Sequence, residues 1–540
     1  MSVGFGVHEQ TNRATRWSVS DVVTMAKAIS IMAFYFLFCY AFTIAVGGVV
    51  FSNNMPDYSP AIPLVFMSLE IALLTLSFHM LKKHTVFIKK AYPFIIVFSI
   101  SLLFILNVRL GYMLRFEPIF DLGAIYTGAK EWATTGNFLD YMDPSVGYNY
   151  FYYFPHNLGG MMLLFVAFKV AAFFGATDYF AVAMITNALL ATATVLLVVL
   201  ICKRLFGIPQ SIMALVLVLL SPPFYMIAPV FYTDSLSMVF PALVVYFYLK
   251  FYDSTHTAQS VQYAVLIGVS CVIGMLIKFT VIIALIAILI HTILLKGVIP
   301  FFRVVAVAGS IVTAVLLAFN MYFYSVHLDS QKADALNIPF SHWVMMSLDD
   351  GSFDPEDYDF TLSFTDKYEQ KSAIVDRIQE RIKEKGLFGM LWLFFYKDIV
   401  AFGDSTYGQS DFLDDAPVNE TKLHSLVLYE GRYFRRYKYV CSATYFTIQL
   451  LMLLSAFSVL LSKKKIYTNM ISLLCIFGLM LFFTIWEVDG RYVTNYVSMM
   501  IISAVSGLDV IMGMLRGKGT RLKNIHMEWR AGIDESKPFN

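Results

Sequence analysis

The feature that most constrains this chain is a near-continuous series of apolar runs, each about as long as a bilayer's hydrocarbon core is thick. Backbone amides cannot stay unpaired in hydrocarbon, so a run of about 17–25 apolar residues that crosses it does so as a helix. Such runs stand near residues 26–51, 61–81, 92–112, 179–202, 210–229, 236–250, 261–277, 280–295, 304–324, 439–461, 467–485 and 493–515, which makes about twelve spans. Charged residues are 14% of the 540, against roughly 25% in a soluble domain. The expected fold class is therefore an all-α membrane protein with about twelve transmembrane helices, re-entrant or interfacial helices, and a small mixed extracytoplasmic region. A net charge of +2 offers no basic surface for nucleic acid. Cys39, Cys202, Cys271, Cys441 and Cys475 are odd in number and lie in or beside apolar runs, so they read as packing residues and not as a disulfide framework.

Lysine and arginine in short loops stay cytoplasmic, which orients the spans. The loops 82–90 and 296–303, Lys203 with Arg204, Lys463 to Lys465, and Arg516, Lys518, Arg521 and Lys523 all fall on one side if the segment carrying Arg13 and Arg16 is cytoplasmic too. Arg432, Arg435, Arg436 and Lys438 then lie outside, at the end of a long segment that translocates largely regardless of charge. A full crossing by the apolar run 158–175 would invert every later basic loop, so this run is expected to be half-inserted or interfacial on the outer side. The first apolar run is long and lacks a small-residue cleavage site, so it is expected to anchor the chain.

The expected organisation is an N-terminal transmembrane module over 1–324 with an outer catalytic loop at 114–157, an extracytoplasmic region over 325–437, C-terminal transmembrane helices over 438–515, and a cytoplasmic tail over 516–540. Residues 376–385 (DRIQERIKEK) read as a solvated helix, with Glu380 spaced to reach both Arg377 and Lys383. They lead into 387–396, an apolar and aromatic stretch suited to lying in the interface.

Ionisable groups at membrane depth are costly unless they face a cavity or a partner, so they are the place to look for a site. Arg109, Arg115, Asp121, Lys130, Glu131, Asp234, Lys278, Glu487, Asp489 and Arg491 all fall near the outer ends of spans. Asp121 opens a helical pattern through Leu122, Ile125, Tyr126, Ala129, Trp132 and Ala133; it suits an N-cap, a general base, or both. In 148–157 (YNYFYYFPHN) most rings fit an aromatic belt, yet a sugar also stacks on tyrosine, and Tyr153, His156 and Asn157 add polar groups there. Asp234 starts a span, where capping is again the competing role. Lys278 has no neighbouring carboxylate in sequence and either snorkels to head groups or holds a phosphate as a point charge. Glu487, Asp489, Arg491 and Tyr492 form a charged turn in which Arg491 either pairs with Glu487 or takes a phosphate bidentately. Residues 513–520 lack phosphate-loop spacing, and no HExxH is present.

Taken in order, Phe120-Asp121, Tyr153 to Asn157, Lys203 to Gly207 (KRLFG), Ser221-Pro222, Thr233-Asp234, Lys278 to Thr280, and Glu487 to Tyr492 give the chain a resemblance to a known family. It resembles the polytopic glycosyltransferases of the GT-C fold, the class that contains protein O-mannosyltransferases and the lipid A aminoarabinose transferase. The resemblance implies a GT-C-like fold in the cell membrane, with an outward-facing cavity. It implies an inverting transfer of sugar from a polyprenyl-phosphate donor to a glycan, glycolipid or protein hydroxyl, with the lipid bilayer and no nucleic acid as further surroundings. It casts Asp121 as the catalytic residue and Arg115, Tyr153, His156, Asn157, Asp234, Lys278, Glu487, Arg491 and Tyr492 as substrate-binding. No cofactor is certain. Many relatives carry two adjacent acidic residues in the first loop, where Asp121 stands alone, so no metal ligand is named and a divalent cation stays open. The competing readings are a transporter or flippase for a glycolipid or polysaccharide and, behind it, a scaffold without activity.

Overall fold

The computed structural model describes residues 19–51, 58–142, 146–413, 417–461 and 466–515. Its principal helices are α1 (Val19–Phe51), α2 (Ala61–Lys83), α3 (Thr85–Met113), α4 (Phe120–Thr134), α5 (Leu158–Phe173), α6 (Tyr179–Phe206), α7 (Ile208–Leu220), α8 (Val239–Asp253), α9 (Thr257–Ile277), α10 (Ile282–Leu295), α11 (Ser310–Val326), α12 (Lys367–Ala401), α13 (Phe434–Leu461), α14 (Ile466–Phe483) and α15 (Val497–Leu515). Among the described residues there is no strand; an isolated bridge joins Phe116 and Pro417. Ten helical segments are long and apolar enough to cross a membrane, and three shorter apolar ones accompany them. The all-α membrane architecture is the one expected from the sequence.

Long-range contacts fix which helix ends lie together. Helix α6 starts beside Asp178, whose carboxylate takes both terminal nitrogens of Arg115, just past the end of α3, at 2.6 and 3.0 Å. It finishes with Lys203 lying 4.8 Å over the ring of Tyr92, near the start of α3. The two helices are thus antiparallel, and the chain leaves α3 and enters α6 at the same end of the bundle. The stretch between them starts and finishes at that end. Helix α5, 16 residues long and apolar but for Lys169, lies in that stretch, and with the turn before it forms the segment Pro155–Phe173, one of the ten long and apolar enough to cross. It runs beside α4, with Trp132 stacked 4.0 Å from Phe165 and Lys169 donating to the Ala133 carbonyl at 2.7 Å.

The opposite end gathers the basic loops. Lys82 and Gln210 both bind Asp509, at 2.5 and 2.9 Å. Arg204 pairs with Asp253, Lys296 covers the ring of Tyr252, and Arg303 donates to Ser260. Arg13, Arg16, Lys463 to Lys465, Arg516, Lys518, Arg521 and Lys523 lie outside the described residues.

Small and hydroxylated residues close the C-terminal helices on one another, as expected where lipid supplies no hydrophobic drive. A Cβ at Gly507 would stand 2.2 Å from the Leu451 carbonyl oxygen, and Ser455, Asn469 and Ser506 share hydrogen bonds of 2.5–2.7 Å. All five cysteines are buried and free.

In the region between α11 and α13, the solvated and interfacial stretches join into the one helix α12, kinked at Gly386 with φ +57°. Its first half turns Arg377 and Arg381 toward Asp357, so Arg377 serves Asp357 where the sequence spacing favoured Glu380. Its second half exposes Leu387, Phe388 and Trp392 while packing Ile399 against Gly48 and Phe395 against Tyr40 of α1.

Candidate active site

Asp121 is the second residue of α4, and Ile119 occupies the N-cap with no side-chain hydrogen bond, so the carboxylate is not spent on capping. It is held instead by two phenols: Tyr150 donates to one oxygen at 2.5 Å and Tyr232 to the other at 3.0 Å. Asn157 donates to the Tyr150 hydroxyl oxygen at 2.6 Å, which leaves that hydroxyl's proton for Asp121. Phe120, the residue before, has φ +49°. A non-glycine residue in this region costs about 1–3 kcal/mol and persists where surrounding structure holds it, often at functional sites. Among the described residues only Tyr407 shares that property.

Asp234 is likewise the second residue of a short helix, Thr233–Ser237, capped by Tyr232 without a side-chain bond. It is buried and pairs with Lys278 at 2.9 Å. Lys278 stands where α9 breaks before the turn Phe279–Val281, with its ammonium 4.3 Å over the ring of Tyr492. The partner that sequence neighbours do not supply comes from across the bundle.

Arg491 approaches Asp489 at 3.3 Å and lies 5.3–5.4 Å over the rings of Tyr232, Phe412 and Tyr492. Glu487 does not pair with it; the carboxylate accepts from the Tyr492 hydroxyl at 2.5 Å, and burial raises it above the usual carboxylate range. Asp121, Tyr232, Arg491, Tyr492, Lys278 and Asp234 therefore form one unbroken run of contacts. Four elements distant in sequence supply it.

A second tier holds Arg491 in place. Asp404 pairs with Lys438 at 2.5 Å and accepts from the amides of Thr406 and Gly408. Burial opposes its ionisation, and the Lys438 ammonium and these N–H donors outweigh that, holding the carboxyl below its usual range. Gly408, at φ +68°, sits so close that a Cβ there would be 2.5 Å from the Cβ of Arg491. Burial, and then Asp404, push the neighbouring Asp411 up to about 6; its carboxylate is hydrogen-bonded by Tyr429.

The other expected residues divide. His156 keeps solvent-exposed surface and stands edge-on to Trp343 at 5.9 Å. Asn157 belongs to the Asp121 cluster, whereas Tyr153 meets the outer region through its carbonyl, which accepts from Ile338 at 3.5 Å. Arg115 is engaged by Asp178 and packs over Phe180 at 4.7 Å, outside the run of contacts. Among the described residues no three His, Cys, Asp or Glu side chains stand together as a metal site. Tyr150, Tyr232, Asp178, Asp404, Lys438 and Asp411 were not singled out by sequence; only the placement of Tyr150 in the aromatic stretch and of Tyr232 beside Thr233-Asp234 hinted at two of them.

Fold and site together define a polytopic, all-α integral membrane protein with a charged, tyrosine-lined site at one end of its bundle. The chain belongs to the family described as conserved hypothetical integral membrane protein, whose model matches residues 22–509. A comparison with curated proteins gave no match. The structure is similar to the crystal structure of ArnT from Cupriavidus metallidurans bound to undecaprenyl phosphate, at 14% identity over 78% of each chain with a TM-score of 0.38.

Proposed function

We propose that the protein is a GT-C-type glycosyltransferase that moves a sugar from a polyprenyl-phosphate donor to the hydroxyl of an envelope glycan, glycolipid or protein. The observation that carries this reading is the run of contacts from Asp121 to Lys278, which sets a carboxylate free of capping and of ion pairs opposite two cations. In the reaction the acceptor oxygen bonds to the anomeric carbon while its proton passes to Asp121. The bond from that carbon to the phosphate oxygen breaks with inversion, and its electron pair leaves on the phosphate, which Lys278 and Arg491 stabilise. Lys278 exchanges Asp234 for phosphate as the donor enters.

The two strained non-glycine residues flank the machinery, one preceding Asp121 and the other preceding the Gly408 that abuts Arg491. By the positive-inside rule the basic end is expected in the cytoplasm, which supports a site on the extracytoplasmic face of the cell membrane. A site at one end of the bundle favours transfer over transport, since alternating access uses the midplane.

In proteoliposomes supplied with radiolabelled polyprenyl-phosphate sugars, Asp121→Asn should lower transfer by about a hundredfold or more, the usual range for a general base, while donor binding is retained. Transfer near the wild-type rate in this variant overturns the assignment.

A further inference from the structure

Aromatic rings from three separate parts of the chain meet in a row beside the site. Phe154, 5.0 Å from the Tyr150 that holds Asp121, stands 6.0 Å from His156 and 6.4 Å from Trp343. Trp343, on the helix Phe340–Ser347, stacks on Trp486 at 5.9 Å and 24°, and Trp486 meets Phe340 at 5.0 Å. Trp486 immediately precedes Glu487, whose bond to Tyr492 underlies Lys278. The row thus runs from the carboxylate end of the site to its cationic end.

We propose that this row is a saccharide-binding cleft, and that the acceptor is a glycan chain, neither a protein side chain nor a lipid alone. The identification as acceptor rests on the transferase reading; the binding of saccharide does not. Sugar rings present an apolar C–H face bordered by hydroxyls, so they suit aromatic faces that carry polar edges. Trp343 and Trp486 are only half-buried, and neither indole N–H is hydrogen-bonded among the described residues. His156 is exposed next to them. Such donors serve hydroxyls and offer nothing to an isoprenoid tail. An interfacial belt sets rings at the level of lipid head groups; here the rings adjoin one another between the Asp121 and Lys278 ends of the site, with Trp486 also stacked on Phe482 at 5.6 Å.

The test uses the full chain in lipid nanodiscs, screened on an array of hexose, pentose and N-acetylhexosamine oligosaccharides and titrated by tryptophan fluorescence. At least one oligosaccharide class should bind saturably, with affinity reduced about tenfold in Trp343→Ala and in Trp486→Ala, whereas Trp343→Phe and Trp486→Phe should keep it within a few-fold. Undecaprenyl phosphate titrations should be the same in all four variants. The cleft is refuted if no saccharide binds, if the alanine variants bind saccharide like wild type, or if they lose undecaprenyl phosphate instead, which would give the row to the lipid. Saccharide binding should survive Asp121→Asn; if that variant also keeps its transferase activity, the catalytic reading fails while the cleft stands.

Discussion

Asp121 owes its geometry to two phenols more than to its own helix. Tyr150 and Tyr232 each direct a hydroxyl at one carboxylate oxygen, and neither is within reach in sequence. Lys278 and Arg491 are similar: each cation is framed by rings, and its nearest carboxylate is Asp234 or Asp489. The electrostatics carry a pH dependence through Asp411, whose carboxyl, raised to about 6, lies in the field of Arg491. Above that pH it is an anion competing with phosphate for the guanidinium; below it, the group is neutral. Undecaprenyl phosphate should bind more tightly as pH falls from about 7.5 to about 5.5, and the difference between wild type and Asp411→Asn in the same titration should isolate this residue from the ligand's own ionisation. A flat difference would remove Asp411 from the site. The sign for stability follows: because the folded group is raised, its favourable contribution is complete below the unfolded carboxylate range and is lost as pH rises through about 6.

At the level of elements, α4 was legible because Leu122, Ile125, Ala129, Trp132 and Ala133 repeat at helical spacing, and all are buried. For α5 the only guide to its course in the sequence is the charge of neighbouring loops, since its own residues are apolar apart from Lys169. What seats α5 is a close approach to α9. A Cβ at Gly159 would lie 1.8 Å from the Leu276 carbonyl oxygen, a backbone atom that cannot swing away. Gly159→Ala should therefore cost at least the usual overpacking penalty of about 1–3 kcal/mol and lower the thermal midpoint in detergent. Gly175→Ala, with nothing within 4 Å but φ +81°, is the control for backbone strain alone. Equal midpoints for the two variants would show that the α5–α9 contact is not what holds the helix.

For the molecule as a whole, the antiparallel course of α3 and α6 makes the topology testable without knowledge of the reaction. A reporter fused after Gly175 should behave as extracytoplasmic, and one fused after Gly207, at the Lys203 end, as cytoplasmic. Cytoplasmic behaviour at Gly175 would invert every later span and place the site on the inner face. The sequence by itself determined the solvent of this protein and set an expectation for the direction of its helices. Apolar length and loop charge are local quantities that the bilayer reads segment by segment. Only the tertiary structure decided which of the scarce charges meet. Asp234 finds Lys278, Asp404 finds Lys438, and Tyr232 joins Asp121 to Arg491 across separations that no periodicity encodes. They are accompanied by close packing at Gly159, Gly408 and Gly507, where absent side chains let neighbouring elements approach. An approach of that kind is a property of two surfaces at once, and it does not exist until they are packed.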